Sequence, residues 1–125
     1  MTAPAPASTS TVDLVARFPG IVQADARPGY SGFIVEKESL IEVATAVRDE
    51  FGFDLMTAVT GVDYPPDKME VVYHAYRTTG GPGLVYKVQV PRVDPVEVPS
   101  LIHLYPGVDL QEREAWDLLG IKFTG

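Results

Sequence analysis

Cysteine is absent from the 125 residues, which excludes disulfides, thiolate zinc sites, all-cysteine iron–sulfur ligation and a cysteine nucleophile. Basic residues are scarce: ten Lys and Arg stand against seventeen Asp and Glu, giving a net charge of -7. Neutralising a nucleic-acid backbone requires a clustered basic surface, so nucleic acid is not an expected partner. Long apolar runs are missing as well. The best of them, Leu84 to Val90, is broken by Lys87 and Gln89, and it falls far short of the ~20 residues needed to cross a bilayer. No direct membrane span is expected. The amino terminus has no basic segment followed by an apolar one, so no secretory signal is expected and the cytoplasm is the simplest compartment.

The hydrophobic content of 46% in a chain of this size is enough for one globular domain with a real core. Residues 2–11 are all Ala, Pro, Ser or Thr, a composition that buries too little apolar surface to offset the entropy of ordering. The division expected is a disordered tail over residues 1–11 and a single domain over residues 12–125.

Within the domain, residues 12–18 read as a short helix capped by Ser10 or Thr11 and ended by Pro19 and Gly20. A short strand is expected over residues 32–36. Ser39, with Glu42 three residues on, reads as the capping box of a helix that buries Leu40, Val43, Ala44, Val47 and Phe51 and stops at Gly52. Three strand-like runs follow, over residues 54–64, 69–77 and 84–90, and their short connections imply an antiparallel meander. Pro91, Pro95 and Pro99 mark an irregular passage. A last helix is expected from an Asp109 cap to about Leu119, with Gly120 as its left-handed stop. The fold class is therefore α+β: a largely antiparallel sheet of about four strands, helices packed on one face, and a helix near the C-terminus.

Candidate chemistry is thin. The cluster Gly80, Gly81, Pro82, Gly83 is followed by a strand-like run, whereas a phosphate cradle leads into a helix, so a hairpin turn is expected. His74 alternates with Val72 and Tyr76 along one strand face and reads as a packed or rim residue; His103 stands alone. The densest polar group is Gln111, Glu112, Arg113, Glu114, Trp116 and Asp117. Glu112 and Glu114 lie about 200° apart around a helix axis and so do not converge as paired catalytic acids. Asp109, Arg113 and Asp117 fall at four-residue steps and read as an ion-pair ladder with Glu114 beside it. Glu112 projects into an otherwise apolar sector with Ala115, Leu118 and Leu119. It either pairs with an arginine across the fold or lies on a docking face. Trp116 reads as core, although an aromatic and an arginine one turn apart also suit an interface.

Three strings carry a family resemblance. They are Glu112-Arg113-Glu114-Ala115-Trp116-Asp117-Leu118-Leu119-Gly120-Ile121 with Phe123 and Gly125, preceded by Tyr105-Pro106-Gly107; Thr60-Gly61-Val62-Asp63-Tyr64; and Val71-Val72-Tyr73-His74. Pro99 and Ser100 also fit. From about Gly32 onward the chain resembles the 30 kDa subunit of respiratory complex I, the NADH:quinone oxidoreductase. It departs from the pattern at Val108-Asp109-Leu110, and the family continues past Gly125 with histidine, proline and paired arginines. The resemblance implies the compact N-terminal domain of a longer subunit, and any contact made by that basic tail falls outside this reading.

The resemblance further implies an α+β domain that binds no cofactor and performs no chemistry alone. It implies docking against the hydrogenase-like quinone-site subunit and the iron–sulfur subunits of the peripheral arm, at the cytoplasmic side of the membrane. Glu112, Arg113, Glu114, Trp116 and Asp117 are the expected subunit-interface residues. An equivalent domain of a membrane-bound hydrogenase or plastoquinone-reducing complex fits the same strings. A rival of another class, a stand-alone metal-dependent hydrolase using His74, His103 and the acidic helix, requires those groups to meet in a cleft. A further rival is a helix that only locks its own fold.

Overall fold

The computed structural model describes residues 13–125; the expected tail over residues 1–11 lies outside them. The described residues open with α1, Leu14–Arg17, which is capped by Asp13, whose Oδ1 accepts from Ala16 N at 3.1 Å. Asp13 therefore takes the role expected of Ser10 or Thr11. Strands β1, Val22–Ala24, and β2, Phe33–Val35, follow. A 3-10 turn over Lys37–Ser39 then runs into α2, Leu40–Asp49. Next come β3, Leu55–Tyr64, β4, Lys68–Tyr76, and β5, Leu84–Pro91. After β6, Val96–Pro99, a second 3-10 turn, Pro106–Val108, leads into α3, Asp109–Leu119, and the chain ends on β7, Ile121–Thr124.

The architecture is α+β as the sequence implies, with more strands than expected. Five strands form one sheet in the order β1-β2-β5-β4-β3, and β6 and β7 form a second, two-stranded sheet. Strands β3, β4 and β5 make the antiparallel meander read from their short connections, with Val59 opposite Tyr73 and Tyr73 opposite Tyr86. Parallel pairing appears where a helix supplies the crossover, between β2 and β5 through α2 and between β6 and β7 through α3. The passage expected to be irregular thus contains a strand, because Pro95 precedes it and Pro99 closes it.

Both expected helix caps fail for the same reason. Each helix begins one turn earlier as a 3-10 turn, whose backbone bonds already serve the first donors, and neither Ser39 nor Asp109 makes a side-chain cap bond. The stops hold: Gly52 and Gly120 sit at φ +80° and +74°, and Gly120 N donates to Trp116 O at 2.9 Å.

One face of the main sheet carries Val71, Tyr73, Ala75, Tyr86 and Val88, all fully buried, in a single core cluster with Leu40, Val43 and Val47 of α2. Tyr73 and Tyr86 stack with ring centroids 5.3 Å apart. Helix α3 lies over the β3 end of that face. A Cβ added at Gly61 would come within 2.8 Å of Leu119 Cδ1 and 3.1 Å of Ile121 Cδ1, so a glycine there lets the helix approach the strand.

Candidate functional site

Helix α3 is tied to the body by the side chains of Glu112 and Gln111. Glu112 is 6% exposed; its Oε1 accepts from Ser100 Oγ at 2.7 Å and its Oε2 from Leu101 N at 3.0 Å. The expected arginine partner is replaced by a hydroxyl and a main-chain amide from the turn just after β6, which passes beneath the first turn of the helix. Those bonds only partly offset the lost hydration, and burial holds the Glu112 carboxyl above the usual glutamate range.

The other four expected interface residues are not buried against the body. Arg113, Glu114, Trp116 and Asp117 are exposed, so the helix separates Glu112 from the rest of the expected set. Only the first rung of the expected ladder forms: Arg113 Nη2 lies 3.3 Å from Asp109 Oδ2, and no ion pair involves Asp117 among the described residues. Trp116 is 51% exposed and is not a core residue. The space over the sheet is taken by Ala115 and Leu119, which pack above Gly61. Leu110 and Leu118, at 63% and 81% exposed, are also uncovered on the same helix.

Grooves flank α3 on both sides. One, of about 370 Å³, is lined by Ser100, Ile102, Glu112, Arg113, Trp116 and Phe123 among others. The second, of about 250 Å³, lies between Val59, Thr60 and Gly61 of β3 and Gln111, Glu114 and Leu118 of α3. Gln111 Oε1 accepts from Val59 N across its end. Sequence reasoning misses both grooves, since each depends on how α3 lies against elements distant in the chain.

The remaining candidates resolve as structure. The cluster Gly80, Gly81, Pro82, Gly83 forms the turn between β4 and β5, with Gly80 N bonded to Arg77 O at 2.9 Å. His74 is half-buried on the outer face of β4, and His103 is exposed in the turn before α3. Among the described residues no three His, Asp or Glu side chains come together as metal ligands, so the hydrolase reading lacks its constellation.

A charged cluster that sequence reasoning does not find sits on the outer face of the sheet. Asp25 Oδ2 lies 2.7 Å from both Lys87 Nζ and Arg27 Nη2, Arg27 Nη1 lies 2.7 Å from Glu70 Oε2, and Gln89 Nε2 donates to the same oxygen at 2.7 Å. The side chains of Asp25, Glu70 and Lys87 are 0%, 1% and 5% exposed. Two carboxylates and two cations satisfy one another here, which makes the cluster a clamp that holds the loop after β1 to the sheet.

Comparison with known proteins adds a family to this geometry. Residues 33–125 match the family model described as respiratory-chain NADH dehydrogenase, 30 Kd subunit. The chain is 41% identical over 93 residues to the NADH-quinone oxidoreductase C subunit of Moorella thermoacetica, covering 74% of this chain and 62% of that protein. It is 37% identical over 109 residues to the corresponding C subunit of Rhizobium rhizogenes, covering 84% of this chain and 54% of that one. The chain thus spans between half and two thirds of the length of these curated relatives. Among solved structures, a chain of the membrane-bound sulfane sulfur reductase, an archaeal respiratory membrane complex, superposes with a TM-score of 0.75 at 26% identity, covering 90% of this chain and 66% of that chain.

Proposed function

The chain belongs to the family of the respiratory-chain NADH dehydrogenase 30 kDa subunit, and from that membership we propose that it is a non-redox, peripheral-arm part of a proton-pumping NADH:quinone oxidoreductase. It assembles with the hydrogenase-like quinone-site subunit and its iron–sulfur neighbours, at the cytoplasmic side of the membrane. No helix among the described residues is long and apolar enough to cross a membrane.

The observation that carries this reading is the division of α3. Glu112 helps fix the helix to the body, while Arg113, Glu114, Trp116 and Asp117 are exposed, as are Leu110 and Leu118. Exposed large apolar side chains beside charged ones are of little use to an isolated domain, and they have the composition of a contact that assembly buries. A lone exposed ion pair contributes little to stability, so Arg113 is better explained by the register it sets with a neighbour.

Arg113→Glu should leave the far-ultraviolet circular dichroism of the free chain unchanged and lower its co-purification with the quinone-site subunit by at least about tenfold, roughly 1.4 kcal/mol. Normal assembly of that variant would count against the role of the helix. The fold likeness to the sulfane sulfur reductase complex favours one second reading, the equivalent domain of another membrane-bound respiratory complex. The identity of the large subunit that co-purifies decides between the two.

A further inference from the structure

Strand β3 is the outermost strand of the five-stranded sheet and the longest, running from Leu55 to Tyr64. An uncovered edge of that length offers a row of main-chain donors and acceptors to any extended chain, and folds usually blunt such edges. Here the blunting covers only half of the strand. The pairing with β4 shifts register between Met56 and Ala58, a bulge that disturbs the near half. Gln111 then occupies the outward N–H of Val59.

Beyond Val59 the pairing with β4 is regular, with Thr60 opposite Val72, Gly61 opposite Val71 and Asp63 opposite Met69. In an antiparallel pair, successive residues point their N–H and C=O alternately toward and away from the partner strand. Since Val59 N points outward to Gln111, the N–H and C=O of Gly61 and Asp63 point outward too. No main-chain bond from another described segment reaches them. Beside this open half lies the 250 Å³ groove of Thr60, Gly61, Glu114 and Leu118, with Leu118 81% exposed on its rim.

We propose that the open half of β3, from Thr60 to Tyr64, takes up an extended segment of a neighbouring subunit as a sixth strand of the sheet. The exposed Leu118 calls for an apolar side chain on that segment. Glu114 in the groove and Asp117 one turn away call for a basic one, which suits a partner of opposite charge to this acidic chain. Side chains two apart on a strand share a face, so one short segment presents both to the groove. The proposal rests on the reading of α3 as an inter-subunit contact, since the groove adjoins that surface.

The test compares amide hydrogen exchange in the purified complex with that of the free chain. The amides of Gly61 and Asp63 should slow by at least about a hundredfold on assembly, while Val59, already bonded to Gln111, changes little. Equal exchange of Gly61 and Asp63 in the two states overturns the proposal. Slowing in the free chain that grows with its concentration also overturns it, by identifying a second copy of this chain as the occupant.

A variant pair gives a second readout. Asp63→Ala and Asp63→Pro both lose the ion pair with Arg92, but only proline removes the outward N–H, and it breaks no bond to β4. Asp63→Ala should assemble like the parent, and Asp63→Pro should be recovered in the complex at least about tenfold less. Equal recovery of the two overturns the proposal. If Asp63→Pro fails to fold by circular dichroism, the exchange comparison decides. A complex that Arg113→Glu breaks while the edge amides exchange unchanged leaves the helix role standing and removes the sixth strand alone.

Discussion

Burial raises the Glu112 carboxyl above the ordinary glutamate range, against the opposing bonds from Ser100 and Leu101. A raised folded-state value means that the folded chain holds this proton more tightly than the unfolded one. Its contribution to stability is therefore fully present below the ordinary glutamate value and is lost as pH rises through the raised one. Glu112→Gln should remove that slope and cost little, because the amide can accept from Leu101 N and donate to Ser100 Oγ. Glu112→Ala leaves both groups without their partner and should cost about 1–3 kcal/mol. Urea denaturation across a pH series checks both, and equal losses with an unchanged slope would sink the idea. The sequence marks Glu112 as anomalous, since it is a carboxylate in an apolar sector. Its partners are not legible there because they come from a turn eleven and twelve residues upstream, whose path under the helix is set by the β6–β7 pairing. Trp116 misleads in the opposite direction, because Ala115 and Leu119 already fill the space above Gly61 that a buried aromatic would need.

At the scale of elements, the contact of α3 with β3 turns on one missing side chain. Gly61→Ala meets only the mobile end of Leu119 at 2.8 Å and a methyl of Ile121 at 3.1 Å, and should be tolerated after a small shift. Gly61→Val adds two more carbons against the same atoms and should cost about 1–3 kcal/mol by overpacking. It should also displace the helix and weaken assembly beyond what the lost stability explains. Thermal melts with co-purification check this, and a valine variant that melts with the parent would refute it. Long, strongly patterned elements are legible in the sequence: the apolar stripe of α2, the three strands of the meander and the glycine stops. Strands β1, β6 and β7 are not, since three or four residues carry no readable period and their pairing is made by distant segments. Both capping residues also mislead, because Ser39 closes a 3-10 turn and Asp109 follows one, so each meets helix already begun.

Across the whole molecule the two faces of the main sheet are held by opposite means, an apolar core on one and the Asp25, Arg27, Glu70 and Lys87 cluster on the other. The Arg27 guanidinium, and then Lys87, hold the Asp25 carboxyl well below the usual carboxylate range. The sign is opposite to that of Glu112. This stabilisation is present above the ordinary aspartate value and is lost as pH falls through the depressed one. Asp25→Ala should cost about 3–5 kcal/mol at neutral pH, because Lys87 is left buried with an incomplete set of partners, and the gap from the parent should narrow in strong acid. A gap that stays constant with pH by urea denaturation would refute the account. Nothing in the sequence announces this cluster, because its members lie 43 and 62 residues apart where charges reach across strands. The family strings point to α3 and to Thr60–Tyr64, but only the sheet order reveals that the second string is an edge beside the helix. The position of α3 between two strands of one parallel ladder has a mechanical consequence. Neither end of the helix is a loose end, so a neighbour pulling on it loads β6 and β7 together, in shear along the ladder. A neighbour docked on α3 as proposed would then release only as a rigid body, which favours long-lived attachment over gradual peeling.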